Sequence, residues 1–170
     1  MNDSQNMMTA ALKRAIQSES DGYHFYLMAS RNTEDAKARE AFQLLAEEEL
    51  LHARFLRHEY QAFLETGKPD DKATIGPKRD LSGPSPIFSP GFRERIKEAH
   101  FEVSALSIGM QLELDSERFY REQARSSADA SLKKFFGELA DWEAGHYRVL
   151  KQQMDDIKED YWNQGGFAPF

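Results

Sequence analysis

Adding 94 to a residue number in the first half of the chain returns the same residue again and again. Gln17, Glu19, Asp21, Phe25 and Tyr26 become Gln111, Glu113, Asp115, Phe119 and Tyr120. Phe42, Leu45, Ala46, Glu49, His52, Arg54 and Leu56 become Phe136, Leu139, Ala140, Glu143, His146, Arg148 and Leu150, at the same offset and without a gap. The chain is therefore two versions of one unit. Each carries a Glu and, thirty residues later, a Glu-x-x-His.

The unit reads as a helical hairpin. Long runs of Ala, Leu, Glu, Lys, Arg and Gln fill both halves, with almost no alternation of β-branched residues. Five of the six prolines fall between Pro69 and Pro90, which marks one long irregular segment. Four helices are predicted, over 5–31, 34–66, 91–126 and 129–159. They form hairpins 5–66 and 91–159, joined by a crossover over 67–90. The 170 residues suit one domain, placed at 1–160. The aromatic stretch 161–170 is expected to be a non-helical tail: a strap packed on the bundle, a partly disordered end, or a contact to a second subunit. Asn32-Thr33 and Ser126-Ser127 are expected to cap the two inner turns, with Glu34-Asp35 and Asp129 following as first-turn carboxylates.

Apolar residues recur at 3,4 spacing in each helix, as a core-facing stripe requires. The stripes run Leu12, Ile16, Glu19, Tyr23, Tyr26, Ala29; then Phe42, Leu45, Glu49, His52, Leu56, Tyr60, Phe63. In the second half they run Leu106, Met110, Glu113, Glu117, Tyr120, Ala124; then Leu132, Phe136, Leu139, Glu143, His146, Leu150, Met154, Ile157. Carboxylates or imidazoles interrupt every stripe at its centre.

The spacing puts those interruptions at one level. Position 34 is midway between Glu19 and Glu49, and 128 is midway between Glu113 and Glu143; both midpoints fall on predicted turns. Residues equidistant from the turn of an antiparallel hairpin face each other, here roughly 22 Å from it. Glu and His at i and i+3 share a helix face. The crossover, about 24 residues, reaches up to roughly 80 Å when extended, whereas a helix of 30 residues is about 45 Å long. It can run the whole bundle, which makes the second and third helices parallel and merges the two half-sites.

Four carboxylates in a bundle core are very costly to desolvate as bare anions. Two divalent cations balance them, since 4 × (−1) + 2 × (+2) = 0. Glu19, Glu49, His52, Glu113, Glu143 and His146 form a hard oxygen and nitrogen set suited to iron or manganese, with zinc a possible occupant. One Glu-x-x-His is common on solvated helix faces. Two in register, each with a partner Glu thirty residues upstream on a core stripe, are not.

Other classes fall away. Zero cysteines remove disulfides, iron–sulfur ligation, thiolate zinc sites and a cysteine nucleophile. A net charge of −7 without a Lys/Arg block argues against nucleic acid and anionic membranes. No apolar run approaches a membrane span, and the start Met1-Asn2-Asp3-Ser4 is polar, so a cytoplasmic protein without a secretory signal is expected. His24, His58 and His100 lack repeat partners and read as surface histidines. Gln17 and Asp21, with Gln111 and Asp115, sit two positions from the ligand Glu and point elsewhere. Glu47 and Glu48 read as a solvated face, with Glu48 within reach of a supporting role whose repeat partner is Trp142.

On these residues, and most recognisably Leu45-Ala46-Glu47-Glu48-Glu49-Leu50-Leu51-His52, nearly all of 5–159 resembles the ferritin-like superfamily and, within it, the rubrerythrin-type di-iron domain. One Glu from each of two helices and Glu-x-x-His from each of the other two is the pattern of di-iron bundles. The resemblance implies an all-α, ferritin-like four-helix bundle holding two iron ions. By position, Glu49 and Glu143 would bridge them, Glu19 and His52 would complete one site, and Glu113 and His146 the other. Tyr26 and Tyr120 resemble the family's supporting tyrosines, which orient ligands and supply a proton or electron.

Two departures stand out. No cysteine-ligated rubredoxin module is present to supply electrons. The position of the extra glutamate common in rubrerythrins is Ser116, with Glu117 one step further round. The symmetric six-ligand set resembles bacterioferritin-type centres as much.

The resemblance implies an oxidoreductase of oxidative-stress defence that reduces hydrogen peroxide or dioxygen. Its electrons would come from an external donor such as a rubredoxin-like protein, and a homodimer is expected. The alternatives are ferroxidase or iron-sequestering chemistry of ferritin type, and a non-catalytic bundle stapled by metal.

Overall fold

The computed structural model describes residues 3–70, 72–75, 89, 100–127 and 129–165. Among the described residues, four helices carry the fold: α1 (Asp3–Asn32), α2 (Ala36–Thr66), α3 (His100–Ser126) and α4 (Ala130–Gly165). α1 packs chiefly on α2, α3 chiefly on α4, and the two hairpins meet in part through α1 against α3. This is an all-α four-helix bundle of the ferritin-like kind.

The turns differ from expectation in their caps. Asp35, not Asn32 or Thr33, caps α2, and its carboxylate accepts from the Ala38 amide at 3.0 Å. Asn32 is still helical and its amide nitrogen donates back to the Met28 carbonyl at 2.7 Å. The Thr33 hydroxyl donates instead to Glu102 at 2.9 Å. At the other turn, the Ser126 and Ser127 hydroxyls donate back to the Gln123 carbonyl. Asp129 accepts from the amides of Ser131 and Leu132 at 2.8 and 3.2 Å. In both turns an aspartate two or three residues further on takes the role, because the serines, like Asn32, bond back onto the helix they end. Gly67 ends α2 at φ 74, the left-handed conformation that releases its N–H to the Phe63 carbonyl.

The crossover's two ends are placed. It leaves Gly67 at the C-terminal end of α2. Ser89 then lies against Asp35 at the N-terminal end, with its amide 3.3 Å from the carboxylate and its hydroxyl also donating. Glu102, near the start of α3, accepts from Thr33 and from the Glu34 amide at the same end. α2 and α3 therefore start together and run parallel. Residues 76–88 of the crossover and the predicted helical stretch 91–99 lie outside the described residues.

The far end corrects the sequence expectation. α4 continues through Tyr161 and Trp162 to Gly165 instead of stopping before the aromatic stretch. Nothing between Asp160 and Asn163 breaks a helix, and Gly165-Gly166 is the first such pair. Tyr161 and Trp162 are exposed, not strapped onto the bundle. Residues 166–170 lie outside the described residues.

Two apolar layers fill the interior. One, at the α1–α2 turn, holds Tyr26, Phe42, Leu45, Leu106, Leu150 and Met154. The other, at the α3–α4 turn, holds Leu12, Leu56, Phe63, Phe119, Tyr120, Phe136 and Leu139. Between them lies a layer of acids and imidazoles. Among the described residues, no helix is long and apolar enough to cross a membrane.

Candidate metal centre

All four helices contribute to the middle layer: Glu19 from α1, Glu49 and His52 from α2, Glu113 from α3, Glu143 and His146 from α4. Every one of the six is buried, Glu19 and His52 completely. They form two overlapping groups. Glu19, Glu49, His52 and Glu143 each present one ligand atom within 4.8 Å of the others, and so do Glu49, Glu113, Glu143 and His146. Glu49 and Glu143 belong to both. The helix registers inferred from the 94-residue repeat thus bring all six candidate residues together.

Both imidazoles present Nδ1 to the carboxylates. His52 Nδ1 lies 3.1 Å from Glu19 and 3.2 Å from Glu143. His146 Nδ1 lies 3.3 Å from Glu49, 3.4 Å from Glu113 and 3.9 Å from Glu143. The rings are nearly parallel, 11° apart with centroids at 5.7 Å. The tyrosines cross between hairpins: Tyr26 donates to Glu113 and Tyr120 to Glu19.

The layer's electrostatics follow from burial without lysine or arginine. Among the described residues no Lys or Arg is buried. Burial, reinforced by the charges of the other glutamates, pushes Glu49 and Glu143 well above the usual carboxylate range. Burial also works against ionised Glu19 and Glu113, but contacts with His52 and His146 respectively, helped by a neighbouring glutamate and a tyrosine hydroxyl, outweigh it and hold both low. Burial opposes charge on the imidazoles too. Glu19 nevertheless draws His52 up, and Glu113 draws His146 well up. Burial and the adjacent carboxylate charges raise both tyrosine hydroxyls, so they keep their protons and donate.

A pair of divalent metals fits this layer. Glu49 Oε1, Glu143 Oε1 and His146 Nδ1 are buried and make no hydrogen bond, although each faces the cluster. Buried polar atoms are nearly always satisfied, and an absent ion is a physical explanation when they are not. The donors are carboxylate oxygens and imidazole nitrogens, the set that suits first-row divalent metals.

Other candidates are placed elsewhere. Glu117 is ion-paired with Arg121 at 3.4 Å and lies outside both groups. The Ser116 hydroxyl is 3.0 Å from that of Ser18. His24, His58 and His100 are exposed. Gln17 and Gln111 each donate to the aspartate four residues on, at 2.8 Å in both hairpins. Of the two readings of Glu48, the solvated face fails and the supporting role fits: it is buried, with Oε2 2.6 Å from His146 Nε2. Its signal was available, because Leu45, Glu48 and His52 keep the 3,4 spacing as well as the stripe through Glu49 does. The solvated-face reading fails for Glu48, whereas Glu47 stays partly exposed.

Four antiparallel-paired helices enclosing a buried layer of four carboxylates and two imidazoles define a ferritin-like bundle with a candidate dinuclear metal centre. Residues 10–154 match the family model Rubrerythrin. The chain belongs to the rubrerythrin family. No match was found among curated proteins or among solved structures.

Proposed function

We propose that the protein is a di-iron carboxylate oxidoreductase that reduces hydrogen peroxide or dioxygen with electrons from an external donor, such as a rubredoxin-like protein. Its support is the pair of overlapping four-residue groups that share Glu49 and Glu143. Glu19 and His52 would complete one metal site, Glu113 and His146 the other, and the two shared glutamates would bridge. Manganese or zinc suits the same donors.

When bound, two iron ions supply a pair of electrons to an O–O bond and stabilise charge developing on both oxygens. The chain's own residues set the stage for this. The tyrosine hydroxyls hold Glu113 and Glu19 in place across the hairpin boundary. Apolar layers on both sides keep the centre in a low-dielectric interior, where each charge interaction is stronger than in water. Reduction of peroxide to two waters consumes two electrons and two protons. These 170 residues hold no cysteine for an iron–sulfur or rubredoxin-type centre, which supports the reading of a separate redox protein as the donor.

Anaerobic loading with Fe(II), followed by separate peroxide and oxygen pulses, tests this function. Two Fe(II) per chain, ferric absorption appearing faster with peroxide than with oxygen, and its loss on reduction are expected. Binding of fewer than two ions, or iron indifferent to both oxidants, would overturn it. Comparable oxidation by both, together with a large assembly on sizing, would favour iron sequestration. A homodimer of twice 19.6 kDa, about 39 kDa, is expected instead.

A further inference from the structure

The repeat breaks at one pair of positions that touch the histidines. Glu48 stands where the second hairpin has Trp142. Glu48 is buried and meets His146 Nε2 at 2.6 Å. Trp142 meets the His52 ring edge-on, with centroids 4.9 Å apart and planes at 82°. His52 Nε2 is buried without a hydrogen bond.

The two imidazoles therefore differ on the side turned away from the cluster. The Glu48 carboxylate at His146 Nε2 fixes the orientation of the ring, so that Nδ1 faces Glu49, Glu113 and Glu143. It also makes Nδ1 a more basic ligand and adds a fifth carboxylate on that side of the layer. Trp142 carries no charge, and its indole N–H can only donate. His52 Nε2 therefore has no acceptor comparable to Glu48.

We infer that this one broken pair makes the halves of the centre inequivalent: the Glu113–His146 half takes the first divalent cation and holds it more tightly, with Glu48 as its positioning residue. The inference rests on the dinuclear metal centre proposed above. Carboxylate partners of metal-bound histidines are commonly worth about 10- to 100-fold in affinity, which sets the expected gap between the two halves.

Anaerobic titration of metal-free protein with Co(II), followed by visible absorption and calorimetry, tests it without reference to turnover. The parent is expected to bind two ions in two steps, the first tighter by about tenfold or more. His52→Ala should keep the tight step and His146→Ala should lose it. Glu48→Gln should weaken the tight step by about 10- to 100-fold and spare the other. Two ions bound with equal affinity by the parent, or both steps weakened alike by Glu48→Gln, would overturn the inequivalence and leave the dinuclear centre standing. Fewer than two ions per chain would overturn both. Should Glu48→Gln fail to fold, the parent's two steps and the two histidine variants decide the matter by themselves.

Discussion

The Tyr26 hydroxyl on α1 donates to the Glu113 carboxylate on α3, so a residue of one hairpin holds an acid of the other. Tyr120 returns the contact to Glu19. Each half of the centre thus depends on a donor from the opposite unit of the repeat, which ties docking of the hairpins to the geometry of the acids.

Tyr26→Phe is expected to leave a buried Glu113 oxygen without its donor. The cost is about 1–3 kcal/mol of stability, read by urea unfolding of the metal-free protein. Metal affinity should fall in the Glu113–His146 half and not in the Glu19–His52 half. A loss confined to the Glu19–His52 half would contradict the crossed pairing.

Four acids share one buried layer, and among the described residues no Lys or Arg is buried beside them. Glu49→Gln replaces an acid whose charge burial and the neighbouring glutamates oppose with a neutral side chain of the same volume. The metal-free variant should melt above the parent, by roughly 2–4 °C for each kcal/mol relieved. The parent should gain about 2.7 kcal/mol from metal at 100 times the dissociation constant, and the variant should lose most of that gain. Calorimetric scans with and without Fe(II) check both signs. A variant stabilised by metal as much as the parent would remove Glu49 from the centre.

A Cβ built on Gly109 would meet the Tyr26 hydroxyl at 3.0 Å and Leu150 Cδ1 at 3.2 Å. Gly109→Ala gains roughly 1 kcal/mol of helix propensity, but overpacking of a filled core costs about 1–3 kcal/mol. Net destabilisation is expected, and Tyr26 must shift. The weakened metal affinity should match that of Tyr26→Phe, and combining the two substitutions should add little. Additive losses in a double-mutant cycle would show that Gly109 acts on something other than Tyr26.

Asp35 links the cap of α2 to Ser89 of the crossover. Burial works against its charge. The Ser89 hydroxyl and the amides of Ala38, Ser89 and Lys37 outweigh burial and hold the carboxyl below its ordinary value of 3.8. A depressed folded-state value adds stability above the unfolded-state value and loses it as pH falls through the folded one. Asp35→Ala should therefore cost about 1 kcal/mol at neutral pH. The gap to the parent should close as the acid is titrated below about pH 4. Urea unfolding across pH checks this, and a gap constant with pH would exclude the ionised cap.

The 94-residue repeat was legible without coordinates because helical periodicity and equal spacing from two turns place Glu19, Glu49, Glu113 and Glu143 at one height. The two histidines follow from the i, i+3 geometry of each Glu-x-x-His. Chain termini and caps were less legible. Propensity does not say which of several adjacent polar residues takes an orphan amide, so Asp35 and Asp129 displaced the residues first chosen. The helix also ran past Asp160 because nothing there stops it.

By itself, then, the sequence determined two matching hairpins and the six side chains at their shared level, since both depend only on distances along helices. Tertiary structure decided what meets across helices: Tyr26 with Glu113, Tyr120 with Glu19, and Glu48 with His146 where Trp142 faces His52. Those pairings depend on how far each helix is rotated about its axis and how closely its neighbour approaches. No one-dimensional spacing carries those two quantities.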